Sequence, residues 1–278
     1  MSNIQITENG AGKYSPKWFY SESQTPEWIS FAHKADELRE NFINLFGIER
    51  LKSLSGKDLL TSLFYNDEGT KTNLCYRLEM DKDIREVFGS ISGGAAYKFG
   101  LFYHKKNQSW TCGSSLKPIR LTEDEAIQKA EEMRNDLVEG AEIISSFGPL
   151  DSEKDYEQLY KQLEHIPGIN MVWRMKYYQM LFPTLFAPFY GQDIQLRVLH
   201  FLNQKPSDIP FIRMGQISLY ARKCNVPGVV FAHIYGKNVG YTNETNDSDT
   251  NTLSDKKHKT HYCRTHLSVL DGELPWKQ

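Results

Sequence analysis

The residues best suited to engage a polyanion lie between positions 97 and 120. Lys98, Lys105, Lys106, Lys117 and Arg120 stand among Tyr97, Phe99, Phe102, Tyr103 and Trp110, and no acid occurs from Val87 to Arg120. Cations neutralise phosphates, exposed rings stack on bases, and an aromatic pocket can hold a base swung out of a duplex. A hairpin with one face in a core and lysines at its tip would show the same pattern, because alternate aromatics in a strand are ordinary core. A second basic region holds Arg174, Lys176, Arg197, Arg213, Arg222 and Lys223. Helices there would set Arg197 and Arg222 outward, and helix termini would add amide donors for phosphate. Its many rings, Trp173, Tyr177, Tyr178 and Phe189 among them, equally suit docking onto a protein partner.

Other chemistries have weaker support. Glu79, Asp81, Lys82 and Asp83 follow a predicted strand, where metal-dependent nucleases gather their acids. Glu79 and Asp81 share a side and Lys82 follows on the other, which departs from a clean strand-borne acid-x-lysine pair, and a hydrophilic strand exit has the same composition. His258, His261, Cys263 and His266 offer four zinc-type ligands within nine residues, without a second cluster at familiar spacing. No phosphate-binding loop, G-x-G-x-x-G or G-x-S-x-G occurs. The expectation is therefore no catalytic residue, no metal and no cofactor in this chain.

These residues must be positioned by a chain of 278 residues, 40% hydrophobic and 24% charged, a globular composition. Mean hydropathy is -0.54, and no run approaches eighteen apolar residues, so no membrane span is expected. Four scattered cysteines and a polar start predict a reducing, cytoplasmic setting. The net charge of -2 is uneven. Residues 121–165 carry 4 Lys/Arg against 13 Asp/Glu, while residues 166–240 carry 8 against 2. A basic face on an acidic protein is thus permitted, and the acidic segment reads as a helix with a solvated side.

Periodicity gives the elements. Residues 1–24 read as loose. Thr25-Pro26 starts a helix of roughly twenty residues, with Trp28, Phe31, Ala35, Leu38, Phe42 and Leu45 on one face, and Gly47 ends or bends it. Residues 74–80 alternate like a strand. A glycine-rich turn and a hairpin follow, with strands over 97–104 and 109–112. Thr122 with Glu125 forms a capping box before a long helix closed by Gly148-Pro149. A further helix starts near Ser152, and this is the expected boundary between domains. The spacing predicts helices over 192–203 and 213–224, leaves 229–235 as strand or helix, and makes the polar stretch after Gly240 a flexible tail or linker.

The order of these elements resembles the region that precedes the nucleotide-hydrolysing motor in McrB-like, modification-dependent restriction proteins. The likeness runs over about residues 27–240. It is carried by AAYKFGLFYHKKNQSW, LTEDEAIQKAEEMRNDLVEGAEII and VWRMKYYQMLFPTLFAPF. It implies a DNA-recognition module, often reading a modified base, that works with a motor domain and a separate nuclease subunit. This sequence has no motor motif, so the resemblance implies a fragment or a standalone relative.

The expected protein is α+β, with a small mixed or antiparallel sheet flanked by helices and then a mainly helical part. Its domains are 25–148, for DNA recognition, and 152–240, helical and aromatic-rich, followed by 241–278. Its partner is double-stranded DNA in a restriction or anti-phage defence system. Lys98, Lys105, Lys106 and Lys117 would contact phosphates, and Tyr103 and Trp110 would stack or line a pocket. Arg197, Arg213, Arg222 and Lys223 are secondary candidates. The rivals are a metal-dependent nuclease using Glu79, Asp81 and Asp83, and an assembly module binding a protein partner.

Overall fold

The computed structural model describes residues 14–64, 72–91, 100–104, 107–114, 117–166 and 171–239. Lys98, Lys105, Lys106, the four zinc-type ligands at 258–266 and the 241–278 tail lie outside the described residues.

Helix α1 (Pro16–Ser23) begins where a loose segment is expected. The Ser15 hydroxyl accepts the Trp18 N–H, and Pro16 pre-sets the first turn. The helix is held because Phe19 is fully buried, its ring 4.7 Å from that of Phe231. Helix α2 (Pro26–Phe46) buries Trp28, Ala35 and Phe42 of the expected stripe, with Phe31 and Leu38 half-buried; Leu45 is exposed and the neighbouring Phe46 is buried in its place, and the helix ends at Gly47. Short helices α3 (Ile48–Ser53) and α4 (Gly56–Leu63) follow.

Residues 74–79 are helix α5 (Leu74–Glu79), not a strand. The Asn73 side chain accepts the Tyr76 N–H and starts a helical turn. Leu74, Cys75, Leu78 and Glu79 are buried, a helical rather than an alternating pattern. Helix α6 (Lys82–Phe88) is capped by Asp81.

The sheet has three antiparallel strands in chain order, β1 (Leu101–His104), β2 (Ser109–Ser114) and β3 (Lys117–Leu121). β3 extends the expected hairpin. Pro118 argues against a strand in sequence, and an edge position accommodates it. Helix α7 (Glu123–Ser146) opens on the reciprocal Thr122/Glu125 box, and α8 (Glu153–Leu163) on a matching box of Ser152 and Asp155. Then come α9 (Met171–Leu181), α10 (Gln192–Phe201), α11 (Pro210–Lys223) and α12 (Gly228–Val239), the last settling 229–235 as helix.

The long helix α7 packs against all three strands and against α3, α4, α8 and α9. Two glycines set the closest approaches. A Cβ at Gly140 would fall 1.9 Å from the Tyr178 hydroxyl, and one at Gly215 would fall 2.4 Å from the Tyr156 ring. Tyr178 of α9 is thus seated in α7, and Tyr156 of α8 in α11.

The described residues on both sides of 148–152 share one buried cluster. Leu150 of that connection belongs to the cluster, and Tyr177 of α9 donates to the Phe46 carbonyl at the end of α2. No described helix is long and apolar enough to cross a membrane.

Candidate nucleic-acid interface

Strand register decides what the basic-aromatic segment can present. Leu101 lies opposite Cys112, Tyr103 opposite Trp110, Cys112 opposite Ile119 and Trp110 opposite Leu121. Side chains alternate, so these six share one face. It is the face turned to α7: Leu101 and Trp110 are buried, and Cys112 feels the charges of Lys129 and Glu125 on that helix. Burial pushes the Cys112 thiol up.

Trp110 is only 6% exposed, and its ring meets that of Tyr103 edge-on with centroids 5.4 Å apart. The expected stacking role for Trp110 is therefore corrected: the indole anchors the sheet to α7, because its strand parity points inward. Tyr103 is half-buried beside it.

The opposite face carries a row that crosses all three strands. Phe102 pairs with Thr111, and Thr111 with Arg120. Phe102 is half-buried, Thr111 buried and Arg120 exposed. Lys117 and Arg120 both lie on the exposed edge strand. The acids that follow are partly engaged, since Glu125 closes the helix cap and Glu123 pairs with Lys57 at 3.4 Å. The backbone N–H and hydroxyl of Thr122 hold the Glu125 carboxyl below its ordinary range. Phe102 and Arg120 belong to the basic-aromatic segment, although the contacts expected from sequence fall on its other cations and rings. The parity of KPIRL, with Lys117, Ile119 and Leu121 on one side and Arg120 on the other, is the signal that distinguishes them.

The second basic region is built differently. Arg213 is 3% exposed. Its Nη1 donates to the carbonyls of Ser207 and Asp208 at 2.9 and 3.0 Å, and its Nε to Gln195 Oε1 at 3.0 Å. Arg213 is thus removed from the expected DNA-facing surface, because its guanidinium is consumed by carbonyls of the connection between α10 and α11 and by the Gln195 side chain. Arg222 is half-buried and donates to the carbonyls of Leu150 and Thr184, so it also turns inward. Arg174 binds the Leu163 and Ile166 carbonyls, and the Lys176 ammonium donates to the Gly89 carbonyl at 2.6 Å. Burial drives Lys176 down to about 7. Only Arg197 and Lys223 of the expected residues here are exposed.

Of the candidate nuclease acids, Asp81 has both oxygens engaged. Oδ1 accepts the Ile84 N–H at 3.0 Å, and Oδ2 pairs with Arg77 at 2.5 Å. Glu79 is buried and Asp83 is exposed on α6. Among the described residues, no three His, Cys, Asp or Glu side chains come together as metal ligands would. No protein-family model, curated protein or solved structure matches this chain.

Proposed function

We propose that the chain binds double-stranded DNA through the sheet, as the recognition module of a cytoplasmic restriction or anti-phage defence system. The observation that supports this most is the Phe102–Thr111–Arg120 row, set in a segment free of acids from Val87 to Arg120. Arg120 on the edge strand neutralises a phosphate on the side of Phe102, and Lys105 and Lys106, which stand in sequence between β1 and β2, add two more cations; Lys117 is exposed on the other side of the same edge strand. Phe102 takes the stacking role in place of Trp110. Reading of a modified base, and cooperation with a motor and a nuclease subunit, rest on the McrB-like resemblance.

The test is binding to short duplexes, unmodified, methylated and hydroxymethylated, over a salt series. Replacing Lys105 and Lys106 by Gln should shallow the salt slope by about two phosphate equivalents, and Arg120→Gln by about one. Phe102→Ala should weaken binding by about 1–3 kcal/mol and leave the slope unchanged. Wild-type affinity and slope in all three variants would overturn the assignment.

A further inference from the structure

A cleft of about 750 Å³ opens between α2, the 181–187 segment, the end of α11 and the start of α12. Its walls are mainly apolar, with Ala35, Phe88, Leu181 and Val229 among them, and small residues leave the space open. Such a volume suits a small organic ligand. None of the residues of the proposed DNA-binding sheet lines it.

Two arginines line this apolar space. Arg222 is held in place by the Leu150 and Thr184 carbonyls. Arg39 is only partly satisfied: its Nη2 meets Asp36 Oδ1 at 3.2 Å, while its Nε is shielded from water and has no acceptor among the described residues. Asp36 is the single acid in the lining, and its side chain is 63% exposed, so it is largely given to solvent. Gly228 and Val229 bring the first turn of α12, which contains no acid, to the same cleft. The local balance is positive within hydrocarbon walls.

We propose that this cleft binds a small amphipathic anion, a phosphate monoester or carboxylate on an apolar body. The anionic group meets Arg39 and Arg222, and the apolar body lies against Phe88 and Leu181. A free inorganic anion would forgo the apolar walls and bind more weakly.

Isothermal titration of the full chain with phenyl phosphate, octanoate and inorganic phosphate tests this. Phenyl phosphate or octanoate should bind saturably, and the tighter of the two identifies the headgroup. Inorganic phosphate should bind at least about tenfold more weakly. Replacing Arg39, which donates to Asp36, by Gln should weaken the organic anion by about tenfold, and Asp36→Asn should tighten it. Ala35→Leu should block binding by filling the cleft, with retention of the thermal transition checked alongside. The proposal fails if neither organic probe binds, if inorganic phosphate binds as tightly as phenyl phosphate, or if Arg39→Gln binds like wild type.

Discussion

The sheet and the α9–α12 helices both read as basic in sequence, yet they use their cations in opposite ways. β3 sets Arg120 outward on an edge strand, while α9 and α11 turn Arg174, Lys176, Arg213 and Arg222 inward. The difference follows from what each element leaves unpaired. A helix end exposes backbone carbonyls that need donors, and short helices joined by tight connections supply many such ends. A guanidinium carries five donors on a long stem and satisfies two or three acceptors at once. β3 pairs its backbone with β2 along one edge, and Arg120 stays exposed on it. Arg134 of α7 follows the helical rule, donating to the Leu51 and Leu54 carbonyls at the end of α3.

Breaking the inward set should cost the most. Arg213→Met leaves the Ser207 and Asp208 carbonyls and the Gln195 side chain without their donor, and should lower stability by about 3 kcal/mol in urea denaturation. A loss below about 0.5 kcal/mol would place this arginine with the surface cations.

Lys176 sharpens the contrast through pH. Its ordinary value is 10.5 and its folded value about 7, so the unfolded chain binds the extra proton between those limits. Stability should therefore climb as pH rises from 7 to 10.5, with the cost of the buried ammonium fully present below 7. The difference between wild type and Lys176→Met, followed by denaturation at several pH values, should change by roughly 5 kcal/mol across that window. A constant difference would mean that the lysine is hydrated in the fold.

The outward set should barely register in stability. Arg120→Gln should shift unfolding by less than about 0.5 kcal/mol while altering the salt dependence of DNA binding. A large destabilisation by this substitution would erase the distinction between the two regions.

Local signals carried much of this architecture. The Thr122/Glu125 and Ser152/Asp155 boxes and the stripe on α2 each involve residues a few positions apart, so their physics is written in the chain. α5 was misread because LCYRLE alternates well enough for a strand; the Asn73 cap and the Leu74–Leu78 spacing were the competing helical signals. α1 was missed although Ser15-Pro16 is a start signal, because its stability comes from Phe19 meeting Phe231 more than two hundred residues away. The sheet's candidate site was legible as a segment and not as a face. The inward destinations of Arg213 and Arg222 were not legible at all, since nothing near them in sequence names the carbonyls they reach.

Three bonds tie the first half of the chain to the second at helix ends. Tyr177 reaches the Phe46 carbonyl at 2.8 Å, Lys176 that of Gly89, and His233 Nε2 lies 2.9 Å from that of Val87. The acceptors leave the ribosome some 87 to 146 residues before their partners do. A nascent chain that has emerged through α7 already possesses its sheet, yet it holds two helix ends, those of α2 and α6, with three bare oxygens between them and none of the later aromatic helices to cover them. Completion of the early half is thereby deferred until translation is nearly through the folded region, and a product released near residue 150 would be a client for chaperones and proteases rather than a working half-protein.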